Sequence, residues 1–88
     1  MSSLNVAEAQ TIGFNNSVDV GGLTLHLQTE VVKRGGMVIR TTVLDGGVAK
    51  SVTNEPVPPD VSEMDALVAL VWAQHQRCFD LLKRLRAP

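Results

Sequence analysis

Three Gly-Gly pairs, at Gly21-Gly22, Gly35-Gly36 and Gly46-Gly47, punctuate the first part of this 88-residue chain. Around them the residues alternate in polarity: Ser17-Val-Asp-Val20 before the first pair, Leu23 to Val32 after it, Met37 to Leu44 after the second, and Val48 to about Thr53 after the third. Alternation with period two is the pattern of a strand with one buried face. A tight hairpin turn needs positive φ at its central residues, and glycine supplies it without a Cβ clash. The chain is therefore constrained to run as consecutive antiparallel strands, with Val20–Val32 setting the register at the centre.

The register follows from the side chains, because a slip of one residue turns a whole strand over. The first turn sets Val20 opposite Leu23 and Val18 opposite Leu25, on the face that carries Leu27, Thr29 and Val31. The other face carries Thr24, His26, Gln28 and Glu30. A three-residue loop, Arg34-Gly35-Gly36, pairs Val31 with Ile39, Thr29 with Thr41 and Leu27 with Val43, and it sets Glu30 opposite Arg40. A loop one residue shorter or longer would put Val31 against Arg40 or Val38, so the three-residue loop is preferred. With Asp45-Gly46 at the centre of the third turn, Val43 faces Val48 and Ile39 faces Val52. Lys50 and Ser51 give the last strand the polarity of a sheet edge.

Pro56, Pro58 and Pro59 then stop the sheet. No glycine or proline interrupts Val61 to Ala87, which predicts one helix of about 24 residues, roughly 36 Å long. Ser62 with Asp65, or Asp60 with Glu63, resembles a capping box. Arg77, Lys83, Arg84 and Arg86 crowd its C-terminal half, where cations favour the helix dipole. A strand of eight residues reaches only about 26 Å, so the helix should overhang the sheet. Between Ala66 and Ala73 it is apolar nearly all round, as expected of a helix buried on more than one side. In so short a chain the second cover is most economically another subunit. The predicted oligomer interface is Leu67, Leu70, Val71, Trp72, Phe79 and Leu81.

The fold class expected is α+β: a four-stranded antiparallel β-meander with one long C-terminal α-helix packed on one face. Residues 14–88 form a single domain, and residues 1–13 a loose N-terminal arm with a short strand near Thr11-Ile12.

Few function classes fit. A net charge of −1 gives no default attraction to nucleic acid or anionic membrane. Lys83-Arg84-Leu85-Arg86 reads first as a charged helix end, and a dimeric nucleic-acid regulator using it is the alternative. The single cysteine, Cys78, excludes an internal disulfide and fits a reducing compartment. The start has no basic segment followed by an apolar run, and the longest apolar run, Ala66 to Ala73, is far short of the roughly 20 residues of a membrane-spanning helix. The expectation is a cytoplasmic protein with no membrane partner.

No Gly-x-Ser-x-Gly or His-Glu-x-x-His motif is present. The glycine pairs join strand to strand, whereas a phosphate cradle leads from a strand into a helix. His75 and Cys78 share a helical face, yet zinc takes about four ligands, so they read as core or interface residues. Neither a cofactor nor a metal is expected. The solvent-side patch of His26, Gln28, Glu30 and Arg40 is the candidate partner or ligand site, and a small-ligand or enzyme site around His26 in an oligomeric cleft is the third reading. Open sheet edges also permit strand addition by a partner.

The segment Gly21-Gly22-Leu-Thr-Leu-His26-Leu-Gln28-Thr29-Glu30, the turn Asp45-Gly46-Gly47 and the stretch Gln74-His75-Gln76 resemble small uncharacterised bacterial domains. Those share a Gly-Gly turn, a His-x-Gln-Thr-Glu strand, a second glycine turn and a C-terminal helix. The resemblance covers residues 14–86 and implies a bacterial, cytoplasmic setting and no particular activity. Taken together, the residues predict a non-enzymatic protein–protein interaction or adaptor module. Its partners would be a second copy, met through the C-terminal helix, and another protein.

Overall fold

The computed structural model describes residues 4–85. A helical turn, α1 (Val6–Ala9), leads into β1 (Gly13–Val20), β2 (Leu23–Lys33), β3 (Met37–Asp45) and β4 (Val48–Pro56), and α2 (Met64–Arg84) closes the chain. The strands form one antiparallel sheet in the order β1-β2-β3-β4, with α2 laid across one face. The fold is α+β, a β-meander with one long C-terminal helix.

The first two hairpins have the registers expected from alternation. Val18 faces Leu25 and Val20 faces Leu23 across a turn in which Gly21 and Gly22 take φ of 57° and 88°. Val31 faces Ile39, Thr29 faces Thr41, Leu27 faces Val43 and Glu30 faces Arg40. The charges of that last pair do not meet as an ion pair: Arg40 Nε donates to Asn54 Oδ1 at 3.2 Å instead.

The third hairpin departs from expectation. Its turn is centred on Gly46-Gly47, so Asp45 pairs with Val48, and a bulge between Val43 and Leu44 resets the rest. Val43 faces Ser51 rather than Val48, and Ile39 faces Glu55 rather than Val52. The turn's position has a local reason, since both its central residues need positive φ and Gly46-Gly47 provides it at both; the bulge then adds the one-residue shift that sets Val43 opposite Ser51. The consequence is larger. Ser51, Thr53 and Glu55 occupy the helix side of β4, while Val48 and Val52 remain 58% and 50% exposed.

Two further differences concern the ends. Residues 1–13 were expected to be a loose arm with a short strand near Thr11-Ile12. Of these, Asn5 caps α1 through Oδ1, which accepts from the N–H groups of Ala7 and Glu8, and Ala9 and Ile12 are buried in the core. Four helical residues lie below the length at which periodicity is visible. At the other end α2 starts at Met64 with Glu63 as N-cap and no side-chain cap bond, so neither Ser62 nor Asp60 plays the part expected of it. Leu85, just past the end of the helix, is 70% exposed.

The core is divided in two. One cluster gathers Ala9, Ile12, Val31, Ile39, Leu67 and Val71. The other gathers Val18, Leu27, Val43 and Leu82, with Cys78 and Phe79 against it. The residues between them on each element are polar.

Candidate functional site

The inner faces of β1, β2 and β3 carry neighbouring polar residues: Thr29 pairs with Thr41, and Asn16 lies one inner-face position along β1 from Phe14, opposite Leu27. On α2 the matching level is Gln74-His75, one turn beyond Val71 and one before Cys78. Register sets the two threonines side by side, and the Gln74 and His75 side chains of α2 join them to Asn16 in a single belt. Thr29, Thr41, Gln74 and His75 are each at most 1% exposed.

The belt is hydrogen-bonded almost throughout. Thr29 Oγ1 lies 2.9 Å from Thr41 Oγ1 and 2.7 Å from His75 Nδ1, and His75 Nε2 lies 2.6 Å from Asn16 Oδ1. Gln74 Nε2 donates to the carbonyl of Ile39 and to Thr41 Oγ1, each at 3.1 Å. Gln74 Oε1 alone has no protein partner. Buried polar groups cost free energy unless partnered, and these partners come from four different elements. The belt thus fixes how α2 sits on the sheet. Burial pushes the His75 imidazole below its ordinary pKa by disfavouring the charged form.

An aromatic pair closes the β1 side. Phe14 and Trp72 meet edge to face at 5.0 Å, and Trp72 stacks on the His75 ring at 6.1 Å. Trp72 is nevertheless 47% exposed.

These positions revise the predicted interface. Leu67 and Val71 are wholly buried in the chain's own core, and Leu70 and Phe79 pack against it. Trp72 lies on the β1 flank and is held by Phe14 and His75. Leu81 alone of the six lies on the β4 flank, 57% exposed. The six do not form one patch, because buried positions separate the two flanks of α2.

His26, Gln28, Glu30 and Arg40 do share the outer sheet face, but they do not close into a site. His26 Nδ1 is 3.1 Å from Ser17 Oγ, Arg40 turns to Asn54, and the hollow beside His26 is bounded by Asn15, Asn16, Ser17, His26 and Leu27. Neither Glu30 nor Arg40 lines it. The His75–Cys78 pair likewise fails as a metal site: both ring nitrogens of His75 are occupied by Thr29 and Asn16. Among the described residues no three His, Cys, Asp or Glu side chains are grouped to hold a metal.

Two of the basic residues in the C-terminal half of α2 have partners within the chain. Arg77 pairs with both carboxylate oxygens of Glu55 at 3.0 and 3.1 Å, and Lys83 Nζ sits 5.3 Å over the Phe79 ring. Arg86 lies outside the described residues.

A further feature is a groove with no signal in the sequence. α2 packs over β1, β2 and β3 and leaves β4 largely uncovered. Between its C-terminal half and β4 runs a hollow of about 200 Å³ lined by Thr41, Val43, Ser51, Thr53, Cys78, Leu81, Leu82 and Leu85. It exists because the bulge put hydroxyl residues rather than valines on the helix side of β4, leaving α2 little apolar surface there to cover. The Arg77–Glu55 ion pair links α2 to β4 above it.

Comparison with family models, with curated proteins and with solved structures found no match. Among the described residues no helix is long and apolar enough to cross a membrane.

Proposed function

We propose that this chain is a small protein–protein interaction module that pairs with a second copy of itself along β4 and the groove beside it. The observation that carries the reading is the uncovered β4: an edge strand with eight of its nine residues exposed, next to an apolar hollow whose lip holds Leu81 and Leu85, 57% and 70% exposed.

Three further points favour a second copy. Edge strands are normally guarded by charge, yet β4 offers Lys50 alone, since Glu55 is engaged by Arg77. A self-pairing strand satisfies two such edges at once, which is the economy of a two-fold contact. The net charge of −1 sets up little repulsion between copies. Antiparallel pairing centred on Val52 keeps both helices on one side of a continuous eight-stranded sheet. It would set each Ser51 opposite the other copy's Thr53 and each Lys50 opposite the other copy's Asn54, with no like charges opposed.

Light scattering across a dilution series tests this. A dimer that dissociates on dilution is the expected result, and a strict monomer at tens of micromolar overturns the reading.

A further inference from the structure

The polar belt has a direction, and that direction depends on a neutral His75. Gln74 Nε2 faces the carbonyls of Ile39 at 3.1 Å and Thr53 at 3.4 Å, which can only accept, so this end of the amide is the donor. Thr41 Oγ1 therefore accepts from Gln74 and passes its own proton to Thr29 Oγ1. Thr29 in turn donates to His75 Nδ1, while His75 Nε2 keeps its proton and donates to Asn16 Oδ1. In this order every hydroxyl proton of the belt has an acceptor.

A proton added at Nδ1 breaks the order. It confronts Thr29, whose hydroxyl must turn to Thr41, and the Thr41 proton then loses the acceptor it had, at a residue 1% exposed. None of the ring's hydrogen-bond and aromatic partners carries a negative charge to offset the new positive one. The groups facing the ring are Asn16 and Phe14 from β1, Thr29 from β2 and Trp72 from α2, none of which titrates in the acid range. Cys78, one turn along α2, is packed against the apolar cluster. The one ion pair among the described residues, Arg77–Glu55, does not involve His75.

We propose that His75 is an acid-operated latch: neutral, it ties β1, β2 and α2 together through Asn16 and Thr29, and protonated, it releases α2 from the sheet and opens the Phe14–Trp72 lid. Burial supports this by holding the imidazole below its ordinary value of 6.5 in the folded chain. The sign follows from linkage. The latch's contribution is complete above 6.5, falls as pH drops from there to the lowered folded value, and is constant below it. One proton changes the closed-to-open ratio by up to about tenfold per pH unit inside that window. The proposal does not depend on self-association.

Trp72, the chain's single tryptophan, reports on the ring beside it. Urea unfolding followed by its emission, at steps from pH 7.5 to 4.5, should show the wild type losing folded population through the window. His75→Gln, which cannot be protonated, should flatten that window whatever its overall stability. Asn16→Asp is the second arm and does not require loss of the histidine. A carboxylate against Nε2 holds the imidazolium, raises the folded pKa above the unfolded one, and reverses the slope, so that this variant is more stable in mild acid than at neutral pH. A pH slope shared by the wild type and both variants belongs to other groups and overturns the latch, as does a wild type whose stability is flat across the range.

Discussion

Thr29 and His75 stand 46 positions apart in the chain and are joined by a 2.7 Å hydrogen bond between two apolar clusters. That contact sets the height and rotation of α2 on the sheet, because a helix shifted by one turn would bring Val71 or Cys78 to the threonine instead. Positional specificity of this kind is what a buried polar pair adds to a core whose leucines and valines would tolerate sliding.

Thr29→Val keeps the shape of the side chain and removes its hydroxyl. It leaves His75 Nδ1 and the Thr41 proton unpaired in a dry site, and should cost about 1–3 kcal/mol. Thr41→Val should cost a similar amount. Because the two hydroxyls bond each other, the double variant should cost less than the sum of the singles. Urea denaturation of the four proteins at pH 7.5 measures the coupling, and strict additivity would show that the belt does not act as a unit.

The two flanks of α2 should behave differently. Leu81→Glu places a charge at the lip of the β4 groove, and should weaken self-association at least tenfold with the circular dichroism spectrum unchanged. Trp72→Glu removes ring contacts to Phe14 and His75, each such pairing worth about 0.5–1.5 kcal/mol beyond area, and should lower stability more than association. The reverse outcome would move the interface to the β1 flank.

Glycine substitutions should separate conformational demand from space. Gly22 has φ of 88° with nothing within 4 Å of an added Cβ, so Gly22→Ala costs only backbone strain, about 1–2 kcal/mol. Gly13 lies within β1 and meets the Thr29 carbonyl at an ordinary 3.7 Å. Gly13→Ala should be neutral or stabilising by up to about 1 kcal/mol, as expected where a glycine occupies an extended position with room for a Cβ. Thermal melts of the two variants give the comparison.

Arg77→Ala should lower stability by less than about 1 kcal/mol, and even that difference should shrink in high salt, because Arg77 and Glu55 are 57% and 47% exposed. A larger loss would mean that the ion pair, rather than the belt, holds α2 to the β4 side.

The registers of β1, β2 and β3 were legible because alternation and glycine turns are local signals. Thr29 opposite Thr41, on the buried face, was legible for the same reason. The His26, Gln28, Glu30 and Arg40 patch was placed correctly on the outer face, but whether its members face one another depends on rotamers and neighbours. Arg40 chose Asn54 on β4, a partner that only the shifted third hairpin brings into reach. Asn16 was not legible, because a single asparagine in a polar stretch carries no periodic mark. Its role appears only when His75 arrives from 59 positions away. The turn centre was not legible, since Asp45-Gly46 is as good a turn signal on paper as Gly46-Gly47, and the bulge between Val43 and Leu44 leaves no mark in the alternation of either strand.

By itself, then, the sequence determined a meander, the sidedness of its first three strands and a long helix too apolar to stand alone, all through patterns that span a few residues. The tertiary structure decided which polar side chains meet in the core, that Ala9 and Ile12 belong to it, and that β4 is left open beside a groove. Those outcomes turn on the lateral position of α2 over the sheet. That position is a sum of contacts to three strands at once, and no local pattern encodes it.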